Sequence, residues 1–199
     1  MFFVIANNAG LDLVNTRGVQ NGEPIDLMTS FDDLIDWSAA AGLIDQKRAR
    51  EIVKKWSGSP AADRVFQRAV QLRDTLASIS STLLRGDRPS DHDINEINSL
   101  LREEKGWFKL QAGDLGYSKV FHTALDDIDG ILVPIAESLA DLLCFGDLTQ
   151  IKKCQAEECV LVFYDTSKNH RRRWCSMAEC GNRAKANAFY KRRKGQTVT

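Results

Sequence analysis

The stretch that decides the fold is "CQAEECVLVFYDTSKNHRRRWCSMAEC", which runs from Cys154 to Cys180. Four of the five cysteines of the chain lie in it, as two pairs of identical spacing. Cys154 and Cys159 flank four residues, and so do Cys175 and Cys180. One such pair alone is a weak signal, but two pairs that flank a hairpin-like segment form a specific pattern.

The two pairs predict one structural zinc site at Cys154, Cys159, Cys175 and Cys180. Zn²⁺ favours four thiolates in a tetrahedron with Zn–S distances of about 2.3 Å, so each short loop supplies two ligands. A catalytic zinc keeps an open position, which four cysteines would close. His170 falls outside the paired spacing, so we expect it in a turn rather than at the metal. Disulfides and unligated thiols are the alternatives, and disulfides are disfavoured without a recognisable secretion signal.

The segments around the cysteines predict a treble-clef-like finger. Residues 160–164 favour a strand, 165–170 a turn, and 171–176 a second strand in which Arg172 faces away from Arg171 and Arg173. The segment after Cys180 is rich in Ala, Lys and Arg, which favour a helix. On that helix we expect Ala186 and Phe189 to pack against the zinc core.

The net charge of zero conceals an uneven distribution of charge along the chain. Residues 151–199 contain twelve Lys/Arg and four Asp/Glu, a net charge of +8, whereas residues 1–150 contain fifteen and twenty-three, a net charge of −8. This asymmetry predicts two domains, 1–150 and 151–199, of which the second suits a polyanion. A solvated tail that also balances the zinc–thiolate charge is the alternative, but that balance needs only two or three cations.

The predicted partner is double-stranded DNA, because clustered cations on a rigid platform suit phosphate contacts. The candidate nucleic-acid contacts are Arg171, Arg172, Arg173, Arg183, Lys185, Asn187, Lys191, Arg192 and Lys194.

The first 150 residues predict a mostly helical domain with a small antiparallel β element, so the fold class of the chain is α+β. Helical spacing and capping residues predict helices from Thr29 or Ser30 to Gly42, from near Pro60 to Leu84, from Ser90 onward and over about 127–145. Alternating runs around "GDLG" predict a β-hairpin. Cys144 follows two leucines on the last helix and is predicted to be buried.

No catalytic set appears in the chain, so we expect that it is not an enzyme. Asn15, Arg17 and Arg73 are polar residues within apolar patterns, and they would either hold a small effector or satisfy buried backbone groups. No apolar run approaches the roughly 20 residues that span a bilayer. We therefore expect a cytoplasmic protein without membrane contact.

Two parts of the sequence are similar to a known pair of domains. "WCSMAECGNRAKA", from Trp174 to Ala186, closely resembles the signature of CGNR zinc fingers, and "DTSKNHRRRW" resembles the stretch before it. "LDLVNTR", from Leu11 to Arg17, resembles the run that opens the ABATE-type domain that usually precedes this finger. His170 departs from the pattern, since glycine is expected at that position of the turn.

The resemblance implies a bacterial, stress-related transcriptional regulator. Its four cysteines would bind zinc, its finger would bind DNA, and its N-terminal domain would sense a ligand or form a homodimer. An RNA-binding module that stacks bases on Trp174, Phe189 and Tyr190 is an alternative. A protein–protein adaptor with a purely structural zinc is another.

Overall fold

The computed structural model describes residues 2–20, 22–102, 106–113, 116–123 and 128–195. The α-helices of this part of the chain are α1 (Ala9–Val14), α2 (Phe31–Ala40), α3 (Gln46–Trp56), α4 (Pro60–Leu84), α5 (Asp91–Leu101), α6 (Val133–Phe145) and α7 (Asn182–Gly195). The strands are β1 (Arg17–Gln20), β2 (Glu23–Asp26), β3 (Gly106–Gly113), β4 (Gly116–Thr123), β5 (Ile151–Lys153) and β6 (Val162–Tyr164). None of these helices is long and apolar enough to cross a membrane.

The helix α4 is the longest element and has the predicted bounds. Ser59 caps it by accepting a hydrogen bond from the Ala62 amide at 3.2 Å, and Pro60 occupies the first turn, where its missing N–H costs nothing. Its buried stripe recurs at helical spacing and forms one wall of the core: Val65, Ala69, Leu72, Leu76 and Ile79.

Helix α1 packs against both α4 and α6, and the periodicity of the sequence did not predict it. A Cβ on Gly10 would lie 3.1 Å from Leu139 Cβ, so glycine permits this close approach to α6. Asn8 caps α1 by accepting from the Leu11 amide at 3.1 Å, and its Nδ2 donates to the Ser138 carbonyl at 2.7 Å. A helix of six residues offers too little periodicity to be recognised without these contacts.

The described strands form three two-stranded antiparallel sheets, β1–β2, β3–β4 and β5–β6. The fold class is therefore confirmed: mostly helical, with small antiparallel sheets and a cysteine cluster near the C-terminus. β3 and β4 form the predicted hairpin. The predicted helix over 127–145 is shorter as an α-helix, because a 3₁₀ turn at Asp129–Leu132 precedes α6.

The second predicted strand of the finger, over 171–176, is wrong. β6 pairs with β5 instead, so the hairpin encloses the first cysteine pair rather than joining the two pairs. The backbone of Arg172 has a different partner, since its amide donates to the buried carboxylate of Asp165 at 2.9 Å. The predicted alternation nevertheless holds, with Arg172 half-buried and Arg171 and Arg173 exposed.

The prediction that Cys144 is buried is also wrong. Cys144 is exposed at the end of α6, beside Phe145, whose side chain is 85% exposed. The buried stripe of α6 runs through Ile135, Leu139 and Leu142, and at about 100° per residue Cys144 lies on the opposite side of the helix from Leu142.

The finger shares its core and its backbone hydrogen bonds with the N-terminal unit. Phe163 of β6 is fully buried in the same apolar cluster as Leu11. Asn15 donates from Nδ2 to the Val162 carbonyl at 2.8 Å and accepts from the Val162 amide at 2.9 Å. The Tyr164 amide donates to the Ala6 carbonyl at 2.8 Å. The two units are thus held together, and their division at residue 150 stays a prediction.

A buried carboxyl group anchors the first residues of the chain to α1. Asp12 is 4% exposed, and its Oδ1 accepts hydrogen bonds from the amides of Ile5 at 2.7 Å and Ala6 at 2.8 Å. Burial raises the pKa of Asp12 from 3.8 to about 6, against the lowering effect of these two amides and of the Arg172 charge. Ionised Asp12 therefore opposes folding.

This pKa makes the contribution of Asp12 depend on pH. Because the folded pKa exceeds the unfolded one, stability falls as pH rises from about 4 to about 6 and is not regained above that range. Asp12→Asn keeps the acceptor oxygen and removes the charge. Relative to this variant, we expect the wild-type free energy of unfolding to fall by about 1 kcal/mol between about pH 5 and pH 8 in urea denaturation. A difference that stays constant with pH would contradict this assignment.

Candidate metal centre and nucleic-acid interface

The thiols of Cys154, Cys159, Cys175 and Cys180 form one cluster. Their four Sγ atoms lie within 4.8 Å of one another, with Cys175–Cys180 at 3.4 Å and Cys159–Cys175 at 3.7 Å. These distances exceed the roughly 2.05 Å of an S–S bond, so the disulfide alternative does not describe this structure. A tetrahedron with Zn–S distances of about 2.3 Å has S–S edges of about 3.8 Å. The cluster therefore has the dimensions of a zinc tetrathiolate site.

The donor chemistry of the cluster also fits a divalent cation. A hydrogen bond from the Cys175 thiol lowers the pKa of Cys159 to about 5, and the same bond raises the pKa of Cys175 far above its usual range. Burial raises the pKa of Cys180 to about 11. The protein alone therefore favours a thiolate at Cys159 and neutral thiols at Cys175 and Cys180. Full deprotonation needs a cation, and Zn²⁺ supplies that charge when bound.

The two cysteine loops are positioned by short backbone hydrogen bonds. Cys154 follows β5, and its amide donates to the Leu161 carbonyl at 2.9 Å, which closes the first loop. Cys159 closes a turn by donating to the Ala156 carbonyl at 3.0 Å. The Cys175 amide then points at Cys154 Sγ at 3.3 Å and so joins the second loop to the first.

Two models of sequence families match the chain. A model of the CGNR zinc finger matches residues 150–193, and a model of ABATE, described as "Putative stress-induced transcription regulator", matches residues 7–146. The chain belongs to the ABATE family and carries a CGNR zinc finger. No curated protein matches the sequence. With its four clustered cysteines, the CGNR finger is a site that can hold one zinc ion.

Each residue of the CGNR signature has a structural role in this finger. Cys180 is the last ligand, and Gly181 lies beneath neighbouring side chains, since a Cβ there would lie 2.4 Å from Met177 Sδ. Asn182 begins α7 and donates from Nδ2 to the Ala178 carbonyl at 3.1 Å. Arg183 places its Nη2 3.5 Å from Cys180 Sγ, so its charge offsets that of the thiolates.

A buried ion pair supports the turn between the two cysteine loops. Asp165 is fully buried and accepts from Lys152 Nζ at 2.6 Å and from the amide and hydroxyl of Ser167 at 3.0 and 2.6 Å. Burial alone would raise the pKa of Asp165, but these bonds outweigh it and hold the pKa far below its usual range. Lys152 also donates to the His170 carbonyl at 2.6 Å. An Asp two residues before a Ser signals such a turn, but the sequence does not reveal that Lys152 is the partner.

Arg172, a predicted nucleic-acid contact, has its guanidinium turned into the protein. It donates to the carbonyls of Trp174 at 3.0 Å and Ile5 at 2.8 Å and to the carbonyl of Cys175. Its guanidinium carbon also lies 4.1 Å from the centre of the Phe163 ring. These contacts connect the N-terminal segment to the second cysteine loop, so we assign Arg172 a structural role and remove it from the interface.

The three candidate effector residues also have internal partners. Arg73 is 1% exposed and forms two bonds of 2.7 Å to the carboxylate of Asp26, with a third of 2.8 Å to Thr16. Arg17 pairs with Asp26 and Asp74. Asn15 is occupied by the Val162 backbone, as described above. Asn15 thus satisfies buried backbone groups, as the structural alternative expected, whereas Arg73 and Arg17 pair with side chains instead. A ligand at these residues is not proposed further.

The remaining predicted contacts lie on the surface of the finger or beyond the described side chains. The exposed ones are Arg171, Arg173, Arg183, Lys185 and Asn187. Lys191, Arg192 and Lys194 lie in the last turns of α7, and their side chains fall outside what the structure describes.

The prediction that Ala186 and Phe189 pack against the zinc core is wrong. Ala186 is exposed and Phe189 is 51% exposed, whereas Arg183, Ala184, Asn187 and Ala188 line a cleft that they share with residues 155–158 of the first cysteine loop. Among residues 182–190 of α7, Ala184 alone is half-buried, and the others are exposed. One side of α7 thus faces the first cysteine loop across this cleft, and its other sides face solvent up to residue 190.

The metal site can be tested with a matched pair of cysteine variants. Cys175→Ser removes the thiol that contacts two of its neighbours, whereas Cys144→Ser removes an exposed thiol outside the cluster. We expect the first variant to lose its zinc. Its melting temperature should also fall, because the finger shares an apolar core with the N-terminal unit through β6. The second should retain one zinc ion per chain. Equal zinc contents by atomic absorption in both variants would contradict the assignment.

The turn at His170 provides a second test. His170 has a φ of 47°, a left-handed conformation that costs about 1 kcal/mol or more for a residue with a Cβ. We expect His170→Gly to be more stable than His170→Ala by about 1 kcal/mol, since both lose the imidazole and only glycine accepts this backbone freely. Denaturant unfolding of the zinc-loaded variants measures the difference. Alanine equal to glycine at this position would show that the turn adopts another conformation.

Proposed function

We propose that this protein is a zinc-dependent transcriptional regulator whose CGNR finger binds duplex DNA through α7 and the exposed arginines beside it. The zinc is structural in this proposal, and the chain catalyses no reaction. The acidic N-terminal unit senses a small molecule or assembles two copies of the chain, which would give a specific site two half-sites. The family descriptions support the regulatory part.

The exposure of basic side chains along one small module carries the proposal. Arg171, Arg173 and Lys185 are exposed, whereas Lys152 and Arg172 are used inside the finger. The cations that hold the fold are thus distinct from those that face solvent. An excess of exposed charge on a rigid support is the arrangement that phosphate contacts require.

The form of α7 also supports a groove-binding role. A helix that is polar on most of its sides and packs only at its start gains little stability from the rest of the protein. The major groove of DNA accepts one α-helix, and Asn and Arg side chains can read base edges there. Arg183 and Asn187 are four residues apart and therefore share one side of α7.

Duplex binding can be tested by replacing one cation of α7. We expect Lys185→Ala to weaken binding of a mixed-sequence duplex several-fold and to reduce the slope of log K against log salt by about 1. The wild-type slope should be about −5 if five or six cations meet phosphates. Fluorescence anisotropy at about 50 and 200 mM salt measures both quantities.

The control for this test is Arg88→Ala, which removes an exposed cation from the N-terminal unit. It should bind duplex like the wild type. Wild-type binding that is absent at low salt, or that does not depend on salt, would contradict the proposal.

RNA binding is a second candidate because α7 exposes two aromatic rings. Phe189 and Tyr190 are 51% and 63% exposed, and their ring centroids lie 5.8 Å apart in an edge-to-face arrangement. Exposed rings on a basic surface can stack unpaired bases. Competition between a duplex DNA and a structured RNA of equal length decides between the two, since only the second candidate predicts preference for the RNA.

A further inference from the structure

We infer that a cleft beside the second cysteine loop binds a nucleotide unit, with its base against Trp174 and Met177 and its phosphate on Arg171 and Arg173. The cleft has a volume of about 370 Å³, and these four residues line it together with Arg172. It lies outside α7, and its two exposed arginines, Arg171 and Arg173, also belong to the proposed duplex interface. The nucleotide is either a free molecule or part of a nucleic-acid strand, and only the second source rests on the proposed function.

The apolar side of the cleft is held in place by the backbone beneath it. A Cβ on Gly181 would lie 2.4 Å from Met177 Sδ and 3.1 Å from Trp174 Cδ1, so both side chains lie directly over this glycine. Trp174 is half-buried and Met177 is 50% exposed, which leaves an apolar surface open to solvent. An indole ring and a polarizable thioether are both suited to the face of a planar base.

The charged side of the cleft has donors available. Arg173 lies 5.0 Å from the centre of the Trp174 ring, and its Nε donates to Gln155 Oε1 at 2.6 Å, which orients the guanidinium. Its Nη groups make no hydrogen bond with the residues that the structure describes, and Arg171 makes neither a hydrogen bond nor an ion pair with them. Two arginines beside an aromatic ring form a site for an anion that is attached to a flat apolar group.

The balance of charge favours an anionic ligand. No acidic side chain lines the cleft. The nearby carboxylate of Asp165 is fully buried and is paired with Lys152 at 2.6 Å, so its charge is compensated. Inorganic phosphate would leave the apolar surface uncovered, and a neutral aromatic molecule would leave two cations unused. A nucleotide satisfies both sides, and the volume is at the small end of ligand sites, which suits one nucleotide.

Titration of the zinc-loaded full chain with AMP, adenosine and ribose 5-phosphate tests the site. Because the base and the phosphate contact different sides of the cleft, we expect AMP to bind more tightly than either half-ligand. Trp174→Ala should weaken AMP binding about tenfold, and Trp174→Phe should retain most of it. Arg171→Ala should weaken it several-fold, whereas Arg88→Ala should not.

Folding of the variants is checked by zinc content and circular dichroism. If Trp174→Ala loses zinc, Arg171→Ala decides the matter, because Arg171 is exposed and its replacement leaves the interior intact. The inference would be overturned if Arg171→Ala and Arg88→Ala bound AMP equally well and also bound single-stranded DNA equally well.

A single-stranded oligonucleotide and the matching duplex distinguish the two sources. If the ligand is a free nucleotide, AMP binds and Trp174→Ala leaves both nucleic acids unaffected. If it belongs to a strand, Trp174→Ala weakens single-stranded DNA about tenfold while AMP binds weakly to every variant. If Lys185→Ala loses duplex binding but still binds AMP, the loss is due to α7 and not to the cleft. Failure of the proposed function would therefore appear in duplex binding, and failure of this inference would appear in the binding of AMP and single-stranded DNA.

Discussion

The four thiols of the finger have to lie within 4.8 Å of one another, and the rest of the finger is arranged around this constraint. Residues 151–181 are too few to build an apolar core that could enforce it. Three features share the task. The β5–β6 hairpin closes the first loop, and the Cys175 amide links the second loop to Cys154. The N-terminal unit packs against β6. A metal that binds four thiolates would then stabilise an arrangement in which the four sulfur atoms are already close together.

Hydrogen bonds join the finger to the N-terminal unit. Asn15 satisfies both backbone groups of Val162, and Arg172 bonds to carbonyls on both sides of the junction. Removal of one partner would leave the other polar group buried without a hydrogen bond, which costs about 1–3 kcal/mol per group. These contacts therefore tie the N-terminal segment to the strand and the loop that hold the cysteines.

Sequence reasoning predicted the features that depend on local pattern and missed those that depend on partners far along the chain. The cysteine spacing predicted the cluster, and Pro60 and the apolar stripe predicted α4, with a start near Pro60 and an end at Leu84. The pairing of β5 with β6 was missed because an alternating run shows that a strand exists but not which strand it pairs with.

The roles of individual polar residues were the least predictable. Arg172 and Arg173 are neighbours of one residue type, yet one bonds to buried carbonyls and the other faces solvent, and only the alternation along the chain hinted at this. Asn15 followed an apolar run and satisfies buried backbone groups, as one alternative expected, whereas Arg73 interrupted an apolar stripe and pairs with side chains. Their partners, Val162 and Asp26, lie 147 and 47 residues away, a relation that no local pattern contains.

The dependence of α7 on the cysteine cluster connects the metal to the basic surface. An isolated helix of 14 residues is marginal in water, because forming its first turn is unfavourable. Here the chain enters α7 directly from the turn that contains Cys180 and Gly181, so metal coordination fixes the residues that nucleate the helix. Arg183 sits in the first turn, where the helix dipole disfavours a cation, but a metal-bound Cys180 thiolate beside it would offset that cost. The same ligand that binds the metal thus determines where the basic helix begins and keeps its first arginine in place.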